Sequence, residues 1–117
     1  MQKDLTIKEI VDFMTLDLSG QKLRRNVAFY LASNQNLLRP HYEAFEAQRK
    51  DIFQKYGKPE GENLIIPQEK MQDFLDEMKQ LLESKVTVTL NTIKLEELPE
   101  EIEFGILQKM MFLIEGE

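Results

Sequence analysis

A chain of 117 residues with 42% hydrophobic and 31% charged residues has the size and balance of one globular domain, which excludes wholesale disorder and fibrous repeats. The absence of cysteine excludes disulfides, thiolate nucleophiles and Cys-type zinc sites, and agrees with a reducing compartment. The longest apolar run, Val27 to Ala32, is six residues, far below the ~18 needed to cross a bilayer, and Met1-Gln2-Lys3-Asp4 lacks the layout of a signal peptide; a cytoplasmic, non-membrane protein is the expectation.

The net charge of −6 is unevenly placed. From residue 95 onward Glu96, Glu97, Glu100, Glu101, Glu103, Glu115 and Glu117 face only Lys109, so this segment carries the whole −6 and residues 1–94 are neutral. Residues 18–42 hold Lys22, Arg24, Arg25 and Arg39 with no acid. A positive stretch and a negative tail can attract each other within one chain.

In chain order, Thr6 with Glu9 three residues on forms a capping box, and Leu5 with Ile10 a hydrophobic staple, so a first helix is predicted over 6–16. Ile7, Ile10, Val11 and Met14 share one face of it. A long helix is predicted over 21–56, where Leu31, Leu38, Phe45 and Ile52 recur every seven residues, with Val27, Tyr30, Leu37, Tyr42 and Tyr56 alongside. Pro40 interrupts the pattern; a kinked continuous helix is preferred over two helices because Arg39 is a poor N-cap. Gly57 and Pro59 read as a left-handed cap and a helix stop, with a loop running through Gly61.

Leu64-Ile65-Ile66 reads as a short strand over 64–66, and Pro67 suits the first position of a helix over 67–84. Met71, Phe74, Leu75, Met78, Leu81 and Leu82 form its apolar stripe, which should lie on the core. Val86-Thr87-Val88-Thr89-Leu90 alternates as a half-buried strand over 86–91, whose apolar phase shifts at Ile93 and Leu95. The strand at 64–66 most simply pairs with it. A last helix over 101–115 would present Phe104, Leu107, Met111 and Ile114 on one stripe, with Met110 and Leu113 beside it and Gly105 as a weak point. The result is a single α+β domain, mostly helical, with a long central helix, two or three shorter helices and a small two-stranded β element.

No enzyme signature emerges. His41 is the single histidine, so two-histidine metal motifs are excluded, and neither a Gly-x-Ser-x-Gly elbow nor a phosphate-cradling glycine loop is present. Glu69, Asp73 and Asp76 share a helical side opposite the apolar stripe, which reads as a solvated face rather than a metal or acid–base site. No cofactor or small-molecule substrate is implied. The methionines at 71, 78, 110 and 111 read as core filler.

The basic stretch is the candidate binding surface. Lys22, Arg25, Phe29, Asn36 and Arg39 fall on one helical side, roughly opposite Val27 and Leu31. A large aromatic there is either packed internally, the preferred reading because a bundle centre buries both helix faces, or part of a contact with another protein or a second copy. A nucleic-acid surface fits an acidic chain poorly. A straight helix of thirty-six residues would span ~54 Å, longer than the 30–35 Å of a compact domain this size, so it must kink, break or project, and a projecting helix favours self-association.

The run Leu37-x4-Tyr42-x2-Phe45-x3-Arg49-x2-Ile52-x2-Lys55-Tyr56-Gly57, followed by a glycine-containing turn, a short strand, an amphipathic helix and Val86 to Leu90, resembles small uncharacterised helical proteins of tailed bacteriophages and prophages. The resemblance spans residues 20–114 and implies a setting, a phage-type protein made in a bacterial cytoplasm; no activity carries over to particular residues. Two readings stay open: a non-enzymatic interaction module that inhibits or modulates a host protein, and a structural or assembly role in phage morphogenesis.

Overall fold

The computed structural model describes residues 2–115, so Met1, Gly116 and Glu117 of the acidic tail lie outside the described residues. The elements are β1 (Gln2–Thr6), α1 (Ile7–Met14), α2 (Arg25–Tyr56), β2 (Lys58–Glu60), β3 (Asn63–Ile65), α3 (Gln68–Glu83), β4 (Lys85–Thr89), β5 (Ile93–Lys94), α4 (Phe104–Lys109) and β6 (Ile114–Glu115), with 3-10 turns at Leu95–Glu97 and Met111–Leu113. It is an α+β fold, mostly helical, built around the long helix α2.

α1 begins as the sequence dictates. The Thr6 hydroxyl accepts from the Glu9 N–H at 3.1 Å and Glu9 Oε1 accepts from the Thr6 N–H at 3.0 Å, which satisfies two donors that a helix start leaves unpaired. Leu5 and Ile10 are both fully buried.

α2 starts at Arg25, four residues later than predicted, because the Ser19-Gly20 turn continues into irregular chain: Asp17 accepts from the Ser19 N–H at 3.0 Å and Leu18 from the Gln21 N–H at 3.0 Å. It then runs unbroken to Tyr56 through Pro40. Pro40 and Asn36 both face solvent, so the Asn36 carbonyl, which loses its helical donor to the proline, can be satisfied by water. The seven-residue repeat holds: Leu31, Leu38 and Phe45 are buried and Ile52 is half-buried.

The strand pairing differs from the prediction. β3 pairs with β2 in an antiparallel hairpin, Lys58 opposite Ile65 and Glu60 opposite Asn63, closed by Gly61 at φ +64. A two-residue loop with glycine first matches the twist of the flanking strands, so the local partner wins over a distant one. β4 pairs instead with β1, Gln2 opposite Thr89 and Thr6 opposite Lys85. β1 escapes a pattern reading because Leu5 is its one apolar residue; Lys3, on the same side of the strand, is half-buried and its Nζ donates to the Phe112 carbonyl at 3.1 Å. A third pair, β5 with β6, is parallel and two residues long.

Gly57 is also a correction. Its φ of −78 and ψ of 152 are extended, not left-handed, and glycine is required there for space: a Cβ would lie 2.5 Å from Leu64 Cγ and 2.6 Å from the Phe53 carbonyl oxygen.

The last predicted helix, 101–115, shortens to the six residues of α4, then a 3-10 turn and β6. The chain leaves helical geometry at Met110, φ −116 and ψ 11; Ile106, Met110, Phe112 and Leu113 are buried, while Phe104 and Met111 of the predicted stripe are exposed. Pro67 is the N-cap of α3 rather than its first residue.

The core gathers α1, the first half of α2, β1, β4, β5 and α4, with the Phe13 and Phe112 rings edge-on at 5.6 Å. From residue 46 to residue 87 no side chain is buried. α3 therefore does not lie on the core along its length: Met78, Leu81 and Leu82 pack against it, whereas Met71 and Leu75 are exposed. The second half of α2, the hairpin and the start of α3 form an arm, held by Phe74 edge-on to Phe53 at 5.3 Å and to Tyr56 at 6.5 Å. The molecule measures 50 × 29 × 21 Å with a radius of gyration of 17.2 Å, against about 13 Å for a compact chain of this length. The helix projects.

Candidate functional site

Val27 and Leu31 are buried and fix the inward side of the first half of α2. At 3.6 residues per turn, Arg25, Phe29 and Asn36 lie within roughly 40° of one another on the opposite side, with Arg39 on its edge. All four are exposed. Phe29 is 65% exposed, which overturns the preference for internal packing: α1 and α3 cover the other side of this helix, and nothing in the described residues covers this one. Lys22 is exposed too, but it precedes the start of α2 and is not on its face.

Phe29 and Tyr30 present tilted rings with centroids 6.0 Å apart. With Arg25 and Asn26 they line a shallow, mainly apolar depression of about 680 Å³, open to solvent. Sequence reasoning assigned Tyr30 to the core side; it is half-buried, at the boundary between core and depression. Leu37, also counted with the core, is exposed, since it sits a residue before the inward Leu38 and so about 100° away from it.

Electrostatically the surface is positive and unneutralised. Among the described residues Lys22, Arg25 and Arg39 make no ion pair; Arg39 Nη1 donates to Asn36 Oδ1 at 2.9 Å. The anticipated attraction between basic stretch and acidic tail exists at one point. Asn26 donates its side-chain amide to Glu97, whose carboxyl is held below its ordinary value by the Lys94 N–H, then by Asn26, with a smaller contribution from Lys94 and Arg24 charge.

The other residues weighed for chemistry are dispersed. His41 is half-buried, and Glu69, Asp73 and Asp76 are exposed. Among the described residues no three acidic or histidine side chains converge as metal ligands, and no helix is long and apolar enough to cross a membrane. Glu77 accepts from Lys55 Nζ at 2.6 Å and from the Tyr56 hydroxyl at 2.9 Å, an arrangement that ties α3 to α2. Of the methionines, Met110 is buried and Met78 half-buried, in keeping with core filler, while Met71 and Met111 are exposed.

A polar residue missed in the sequence is Asn34. It is fully buried, donates to the Asn91 carbonyl at 2.9 Å and accepts from the Asn91 N–H at 2.8 Å. Its amide takes the place of a neighbouring strand and pins the β4–β5 connection to α2. Helical phase puts Asn34 on the inward side with Val27, Leu31 and Leu38, a signal that could have found it; the bond to Asn91 could not be read from the sequence.

Compared with protein families, with curated proteins and with solved structures, the chain matches none.

Proposed function

We propose that the protein is a non-enzymatic interaction module that binds another protein through the exposed side of α2 between Arg25 and Arg39. The observation that carries this reading is Phe29, a large aromatic 65% exposed on the outward side of a helix half whose inward Val27, Leu31 and Leu38 are buried. Exposed aromatics beside arginines are the residues that concentrate binding energy at protein interfaces. The charge favours an acidic partner surface. In the phage-type setting implied by the resemblance, the module acts in a bacterial cytoplasm as an inhibitor or modulator of a host protein.

The test replaces Phe29 with a photocrosslinking phenylalanine analogue in cells of a bacterial host. Recovery of one specific protein at this position, lost when the analogue is moved to exposed Lys50 on the arm, supports the reading; equal, diffuse labelling at both positions refutes it.

The 50 Å length and the projecting arm favour a second reading, a structural or assembly protein of phage particles. Association with purified heads, tails or assembly intermediates separates it from the first.

A further inference from the structure

Between Leu95 and Phe104 the chain has five carboxylates and no base, and Glu96, Glu100, Glu101 and Glu103 are all exposed. This acidic stretch begins against the first turn of α2, where Asn26 donates to Glu97 and Arg24 adds to the attraction. The acidic stretch therefore starts beside the basic face and meets it at Asn26 and Glu97. Each carries a prominent aromatic, Phe29 at 65% exposure and Phe104 at 75%. Apart from Glu97, none of these charged groups has an ionic or hydrogen-bonded partner across the two patches in the described residues.

Two adjacent patches of opposite charge are self-complementary about a two-fold axis passing between them, because one rotation lays each patch on its opposite in the second copy. We infer that the occupant of the exposed side of α2 is a second copy of this chain, paired so that Arg25 and Phe29 of one copy, with Lys22 in the chain just before the helix, meet Glu100, Glu101 and Phe104 of the other, twice over. This rests on the reading of that side as a protein-binding surface and puts a second copy on it, with which a host protein would compete.

The aromatics supply the apolar anchors, and the flanking charges set register and exclude the like-on-like arrangement. The like net charge of −6 on each copy opposes association only weakly at physiological salt, where charges beyond about 8 Å are screened. Local complementarity decides the pairing.

The test uses the full chain and two charge reversals at exposed positions, Lys22→Glu with Arg25→Glu and Glu100→Lys with Glu101→Lys, each checked for folding by circular dichroism. Light scattering is expected to give a wild-type dimer, a loss of dimer affinity of about tenfold or more in either reversed protein alone, and recovery of the dimer when the two are mixed in equal amounts. The inference is overturned by a wild type that stays monomeric at every soluble concentration, by a dimer indifferent to both reversals, or by reversed proteins that fail to pair on mixing. A monomeric wild type that still crosslinks to one foreign protein through position 29 removes the self-pairing and keeps the interaction module; a monomer without such a crosslink removes both.

Discussion

Replacing Asn34 tests the packing argument at its most specific point. The side chain is fully buried and exchanges two hydrogen bonds, 2.9 and 2.8 Å, with the backbone of Asn91. Asn34→Ala removes both, worth about 1 kcal/mol each in net terms, and strands a backbone donor and acceptor whose desolvation costs about 1–3 kcal/mol apiece when water cannot reach them. The Asn91 residue itself is exposed, so water offsets part of that cost, and a loss of about 2–4 kcal/mol is expected, or roughly 10 °C in Tm. Asn34→Asp discriminates further. It keeps the acceptor for the Asn91 N–H but sets a buried carboxylate oxygen against the Asn91 carbonyl, so its folded-state pKa should rise and its stability should recover as pH falls and the carboxyl becomes a donor. Urea unfolding followed by circular dichroism measures both, with an unchanged slope as the check that the unfolded state is the same. An Asn34→Ala protein within about 0.5 kcal/mol of wild type, the range of an ordinary surface change, would refute the reasoning.

Three more outcomes are expected. Gly57→Ala forces a methyl group against the Phe53 carbonyl and Leu64; because one of these is backbone, the variant should lose about 1–3 kcal/mol, read by thermal unfolding, with early proteolysis in the hairpin. Thr6→Ala should cost about 1 kcal/mol by removing the cap of α1, whereas Lys8→Ala, on the same helix but in an exposed ion pair, should stay within about 0.5 kcal/mol. Lys55, and secondarily Tyr56, hold the Glu77 carboxyl below its ordinary value of 4.5. A depressed carboxylate stabilises above its unfolded pKa and loses that contribution as pH falls through the folded value, so Glu77→Gln should flatten the stability profile below about pH 4.5.

Local signals were readable in the sequence and distant pairings were not. The Thr6–Glu9 box and the Leu31, Leu38, Phe45 repeat depend on neighbours three to seven residues away, and the structure reproduces them. The outward direction of Phe29 follows from the same repeat; its exposure does not, because periodicity states which way a side chain points and not what covers it. α3 shows this clearly: its stripe is unbroken from Met71 to Leu82, yet only the C-terminal part reaches the core. β1 was hidden because one apolar residue in five makes no alternation, and its existence depends on β4, near the other end of the chain. At α4 the predicted stripe was out of phase from its start, with Ile106 inward and Phe104 outward, and the change of pitch after Lys109 then brought Phe112 in as well. The contact between Asn26 and Glu97 joins positions whose charges the sequence displayed and whose proximity it did not.

The division between core and arm has a consequence for how the chain comes apart. Cooperativity follows buried side chains, and these end at Phe45 and resume at Val88. The intervening hairpin and the facing ends of α2 and α3 are held by half-buried rings and one exposed ion pair, so they form a low-stability foldon that opens before the rest of the protein. α2 crosses that boundary without a break in its backbone ladder. One helix thus has two exchange regimes, amides near Leu31 released only by global unfolding and amides near Gln54 released by fraying of the arm. The surface proposed for binding, around Phe29, lies on the slow side of that boundary, so association there would not have to supply the entropy of ordering it.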